Sequence, residues 1–156
     1  MKSLSKKQQI FITTSAEKTR EMARNLAKTL RGGEIIALIG GFGSGKTTFV
    51  QGLAKGLGIK QKIQSPTFVF LKEYAVKDSK TRIKYLVHMD FYRIESVKES
   101  LYTGVSDYLG APDTVCVIEW AEKIKRMLPR KTIYINFEQI DEYLRRITIK
   151  NYSRPV

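Results

Sequence analysis

Gly40-Gly41-Phe42-Gly43-Ser44-Gly45-Lys46-Thr47-Thr48 matches G-x-x-x-x-G-K-[ST], the phosphate-binding P-loop. Glycines at 40, 41, 43 and 45 are expected to let the backbone reach φ > 0 and turn its N–H groups around an anionic oxygen. On that pattern Gly41, Phe42, Gly43, Ser44, Gly45, Lys46, Thr47 and Thr48 form the cradle. Lys46 supplies a point charge beside the β- and γ-phosphates, and the Thr47 hydroxyl is placed to ligate Mg²⁺.

The match has the flanks it needs. Glu34–Ile39 is a short apolar run of the kind found in a parallel strand covered on both faces. From Lys46 to Leu57, apolar residues at Phe49, Val50, Leu53, Ala54 and Leu57 form a helical stripe, and Gly58 supplies a stop. A phosphate would therefore sit at a helix N-terminus.

Working outward, 156 residues suit one domain, with 1–8 expected to be flexible. No run of 18 apolar residues occurs and the basic N-terminus lacks an apolar signal core, so a cytoplasmic protein without a membrane segment is expected. The one cysteine, Cys116, lies in an apolar run and reads as a buried strand residue. Lysine and arginine total 28 against 15 acidic residues, a net charge of +13. That field suits polyanionic partners, nucleic acid or an acidic protein, and equally a solvated basic surface. No zinc-finger spacing or RNP-type aromatic motif accompanies it, which argues against sequence-specific reading of nucleic acid.

Phe11-Ile12-Thr13 opens the chain as a strand, and a Thr14/Glu17 capping box starts a helix whose buried face is Met22, Ala23, Leu26, Ala27 and Leu30. Strand, helix, strand, loop, helix predicts a parallel α/β sheet. Phe68–Tyr74 and Ile83–Asp90 flank a polar turn and read as an antiparallel hairpin, which makes the sheet mixed. A second capping box, Ser96 with Glu99, starts a helix reaching about Tyr102. Thr114–Trp120 is a further buried strand, a short helix from Ala121 stops near Pro129, and Thr132–Phe137 with Leu144–Lys150 closes the chain as a hairpin. Arg145 and Arg146 fall on its exposed face, where either could meet phosphate or a partner, though a solvated strand face is the plainer reading.

Two carboxylates end strands where ligands bind in open α/β sheets, Asp90 and Glu119, and they compete for the role of metal-side acid. Thr67, after Ser65-Pro66, occupies the position where P-loop GTPases carry a γ-phosphate-sensing threonine, though a plain loop-to-strand transition fits as well. Trp120 either walls the site or belongs to the core. His88 is the only histidine, which excludes a multi-histidine metal site and leaves it a part in site architecture. No N-K-x-D follows for guanine, Asp107-Tyr108-Leu109-Gly110 has no strand before it, and no arginine-rich lid marks a small-molecule kinase.

Gly43–Thr48, Ser65-Pro66-Thr67-Phe68, His88-Met89-Asp90-Phe91-Tyr92-Arg93 and Ile118-Glu119-Trp120, in this order and at these separations, resemble the TsaE family across nearly the whole chain. The resemblance implies a P-loop NTPase three-layer sandwich with a mixed, mainly parallel sheet flanked by helices. It also implies ATP and Mg²⁺ as cofactors, and ATP hydrolysis on the TsaB–TsaD pair in tRNA threonylcarbamoyladenosine synthesis, with tRNA nearby. Lys46 and Thr47 would then bind phosphate and Mg²⁺, Thr67 would belong to a switch-like loop, and Asp90 and Glu119 would serve metal and water, with Glu119 favoured on the metal side. Gly41 stands where the family usually has an aspartate. No arginine finger is evident in cis beyond Arg93, so slow hydrolysis without a partner is expected. A nucleotide-gated assembly module is the alternative role.

Overall fold

The computed structural model describes residues 8–156. The expected flexible stretch 1–8 lies outside them except for Gln8, which opens the first strand. Seven strands form one sheet: β1 (Gln8–Thr13), β2 (Ile35–Ile39), β3 (Leu71–Ala75), β4 (Tyr85–Asp90), β5 (Thr114–Glu119), β6 (Ile133–Gln139) and β7 (Arg145–Lys150). Their spatial order is β1-β7-β6-β2-β5-β4-β3. The inner four, β6, β2, β5 and β4, are mutually parallel, and β7, β1 and β3 join by antiparallel pairings. The mixed, mainly parallel sheet foreseen in the sequence is therefore present.

Helices cover two faces. On one side α1 (Ala16–Ala27) and α2 (Lys46–Gly56) pack Met22, Leu26, Phe49 and Leu53 against Ile36, Leu38, Val115 and Ile135. On the other, α3 (Val97–Leu101), α4 (Val105–Tyr108) and a 3-10 helix (Ala121–Met127) enclose Ile35, Val87, Met89, Phe91 and Ile118. Alternation along β2 sends Ile36 and Leu38 to the first core and Ile35 and Ala37 to the second, which is why that strand reads as continuously apolar. Full burial of each large side chain contributes about 1.5–3 kcal/mol. Backbone contact between α1 and α2 is very close, since a Cβ on Gly52 would lie 2.3 Å from the Arg20 carbonyl oxygen and one on Gly56 2.6 Å from the Ala27 Cβ.

Several local readings shift. The first helix is capped by Ser15, extended at φ −161°, whose side chain accepts from the Lys18 amide, and Thr14 lies outside it. Glu17 pairs with Arg24 at 2.9 Å instead of closing a capping box. The strand expected from Phe68 begins only at Leu71, because Val69 N–H bonds back to the Pro66 carbonyl at 3.1 Å and Phe70 turns the chain at φ 63°. The closing hairpin pairs as foreseen but inserts between β1 and β2, leaving β1 at the sheet edge.

Candidate functional site

Parallel strands β2, β5 and β4 end together, and the glycine-rich loop springs from β2 at that edge. Only Gly43 (φ 69°) and Gly45 (φ 103°) of its four glycines take positive φ. Gly40 is required for a different reason, since a Cβ there would meet Ser44 Oγ at 2.7 Å and the Phe137 carbonyl oxygen at 2.9 Å. At Gly41 nothing lies within 4 Å, so neither backbone nor space demands glycine.

The loop delivers α2 with a bare N-terminus. Gly45 offers no side-chain cap, no acidic residue occupies the first turn, and Lys46 stands there instead. The first amides of any helix lack intrahelical partners, so this end presents donors and positive potential together, which fits a phosphate chain. Lys46 Nζ donates to the carbonyls of Gly40 (2.6 Å) and Gly41 (2.7 Å) and lies 4.3 Å from the Trp120 ring centroid. Burial pushes the ammonium below the ordinary lysine range, while Glu119, Glu122 and Asp90, in that order, pull it back up.

Thr47 Oγ1 donates to both oxygens of Glu119, at 2.8 and 3.1 Å. Buried His88, on β4, sets its Nε2 2.8 Å from Glu119 Oε1; because the carboxylate accepts, Nε2 carries the proton. Asp90 accepts from the Tyr92 amide at 2.8 Å and from the Ser65 hydroxyl. The Thr47 and Glu119 oxygens are the hard donors that Mg²⁺ takes. Among the described residues no three histidines, cysteines or acids cluster into a metal cage.

These groups line a cleft of about 440 Å³, within the range of small-ligand sites. Of the residues expected from sequence, Phe42 to Thr48, Thr67, Asp90, Glu119 and Trp120 all line it. Gly41 does not; its carbonyl instead accepts from Lys46 and Ser44. Trp120 walls the cleft at φ 56°, a left-handed conformation that costs a non-glycine residue about 1–3 kcal/mol and commonly marks functional sites. Its ring meets Phe42 at 5.0 Å and Tyr92 at 5.1 Å. Arg93 reaches the cleft with its guanidinium 4.3 Å from the Phe68 ring centroid. Cys116 is buried on β5 with its thiol pushed up to about 12, so it is chemically inert at neutral pH.

Two contributors, Ser65 and Tyr92, are not among the site residues expected from sequence. Both lie inside the quoted motifs, which is the signal that would have found them. Arg145, which the strand pattern leaves either solvated or facing phosphate or a partner, is half-buried and donates to the Gly43 carbonyl at 3.3 Å, across 102 residues.

A mainly parallel α/β sheet carries this bare loop–helix junction at its carboxyl edge, the setting that the G-x-x-x-x-G-K-[ST] pattern calls for. The family described as Threonylcarbamoyl adenosine biosynthesis protein TsaE matches residues 13–147. The chain belongs to the TsaE family. It is 37% identical over 142 residues to the tRNA threonylcarbamoyladenosine biosynthesis protein TsaE of Bacillus subtilis strain 168, covering 91% of this chain and 85% of that protein. Its identity to the protein of the same description from Treponema pallidum is 35% over 138 residues, covering 88% and 97%. The crystal structure of Bacillus subtilis YdiB superposes with a TM-score of 0.72 at 32% identity, covering 95% of this chain and 88% of that one.

Proposed function

We propose that this chain is a Mg²⁺-dependent ATPase of tRNA N6-threonylcarbamoyladenosine biosynthesis, hydrolysing ATP while docked on TsaB–TsaD and so supporting turnover of threonylcarbamoyl transfer. Family membership supports the pathway. The observation that carries the chemistry is the Thr47–Glu119 contact beside the bare N-terminus of α2, which joins a hydroxyl and a carboxylate where a metal-bound phosphate would lie.

In this reading the α2 amides and Lys46 hold the β- and γ-phosphates, and Thr47 with Glu119 holds Mg²⁺. Bound Mg²⁺ supplies charge neutralisation on the phosphoryl oxygens. Asp90, fixed by the Tyr92 amide and the Ser65 hydroxyl, orients the attacking water. Trp120, Phe42 and Tyr92 wall the cleft. Arg93, the arginine nearest this chemistry in the sequence motif, stacks on Phe68, so hydrolysis by the isolated chain is slow and rises in the complex. Among the described residues no helix is long and apolar enough to cross a membrane; work on tRNA supports a cytoplasmic location.

The assembly-module reading also has an observation behind it. Phe42, Phe68 and Val69, at the cleft rim or beside it, are 70%, 77% and 68% exposed, an apolar surface of the kind that partners cover. The test is ATP hydrolysis with Mg²⁺ by the chain alone and with TsaB, TsaD and tRNA, wild type beside Lys46→Ala. Partner stimulation abolished by Lys46→Ala supports the ATPase. Full hydrolysis without partners, or stimulation that survives Lys46→Ala, overturns it.

A further inference from the structure

Away from the nucleotide cleft, one part of the sheet carries no helical cover. On β6, β7 and β1 the residues facing away from α1 and α2 are half-buried or exposed, and register pairs Tyr134 with Lys150 and Lys150 with Gln8 in one row, and Asn136 with Thr148 and Thr148 with Ile10 in the next. The row beyond is closed by an ion pair, Arg146 to Glu138 at 2.8 Å. Where this face meets the segment after the 3-10 helix, a groove of about 710 Å³ opens with Tyr134, Asn136 and Lys150 on its floor and Lys125, Leu128 and Arg130 on its wall.

The groove is chemically one-sided. Three cations line it and no acid does. None of Lys125, Arg130 and Lys150 pairs with a carboxylate among the described residues, in contrast to Arg146 on the same face. Between them lies an aromatic ring, Tyr134, half-buried where it packs against the second core, with Lys125 Nζ 5.9 Å from its centroid, and an amide, Asn136, able both to donate and to accept. Unpaired cations flanking a ring on an open sheet make a stacking platform with phosphate contacts at its sides, the arrangement by which proteins hold single-stranded nucleic acid. Duplex is disfavoured, because its bases are already stacked and the ring has nothing to take. The chain's +13 charge adds the long-range attraction.

We propose that this groove binds a short single-stranded segment of RNA, with a base on Tyr134 and phosphates on Lys125, Arg130 and Lys150. The choice of RNA over DNA rests on the tRNA reading above; the stacking and phosphate contacts do not. The groove contains none of the phosphate-cleft residues apart from the shared sheet that carries both, so the two sites are separable by mutation.

The test is fluorescence anisotropy of a labelled single-stranded oligoribonucleotide with the full chain across a salt series, beside its DNA counterpart and heparin, a polyanion without bases. Lys125→Glu combined with Lys150→Glu is expected to weaken RNA binding by about tenfold or more and to flatten its salt dependence. Tyr134→Leu is expected to weaken RNA binding at least about fivefold while leaving heparin binding unchanged. Retained ADP binding and an unchanged melting temperature show that each variant is folded. The proposal is overturned if these variants bind RNA like wild type, if Lys55→Glu with Lys62→Glu on the far side of α2 costs as much, if Tyr134→Leu affects heparin and RNA alike, or if DNA binds as tightly as RNA. ATPase stimulation failing while groove-dependent RNA binding persists would remove the proposed function and leave the groove standing.

Discussion

Asp90 and Glu119 end neighbouring parallel strands, face each other in register and are each 3% exposed, yet the chain surrounds them differently. Glu119 is gripped from regular structure: Thr47 on the first turn of α2 and His88 on β4. Asp90 is gripped from connecting segments: Ser65, before β3, and the Tyr92 amide, after β4. Two acids with one intrinsic chemistry thus become unlike groups through what touches them. Glu119 is tied to the helix that presents the phosphate donors, and Asp90 to the stretch containing Thr67. On the proposed reading Glu119 would take the metal side and Asp90 the water side.

The largest test of that contrast replaces each acid. Glu119→Gln and Asp90→Asn should each slow partner-stimulated hydrolysis by about 100-fold or more, but only Glu119→Gln should raise the Mg²⁺ concentration needed for half-maximal rate. Equal Mg²⁺ dependence in the two variants would erase the distinction. A complex that still modifies tRNA with Glu119→Gln would favour the assembly module. Next in size, Ser65→Ala removes the hydroxyl from Asp90 and should lower kcat about tenfold while nucleotide affinity stays near wild type. A change in affinity instead would place Ser65 with the binding groups. Smaller again is an effect on Lys46, whose ammonium Glu119 supports more than Asp90 does. Removing support lowers its pKa further, so the alkaline loss of nucleotide affinity should begin at lower pH in Glu119→Gln than in Asp90→Asn; identical profiles would contradict the ordering. The smallest expected effect is Gly41→Asp, which adds a carboxylate to the glycine-rich loop. With open space at Gly41 and no positive φ, stability by thermal melting should stay within about 0.5 kcal/mol of wild type.

Much of this site was legible because its signals are local. A P-loop writes its glycines, lysine and threonine into nine consecutive residues, and the acids announce themselves by ending apolar runs. The contacts that separate Asp90 from Glu119 were not legible. They join positions 25 and 72 residues apart, and their pairing depends on strand order, which no periodicity encodes. The same reason hid β6 beside β2 and Arg145 beside Gly43. Local misreadings had local causes: two adjacent hydroxyl residues competed to cap α1 and Ser15 won, and an apolar Phe68-Val69-Phe70 run looked like strand while its backbone turned.

Gly52 and Gly56, four residues apart, let the backbones of α1 and α2 touch. Gly52 is six residues along α2 from Lys46, about 9 Å at helical rise. Any side chain there must push the two rods apart, and a stiff rod pivots as a whole. The phosphate loop is its far tip, so the aim of Lys46 and Thr47 is set partly by a bearing surface on the helix flank, where a single added methyl would mis-sight the chemistry without touching it.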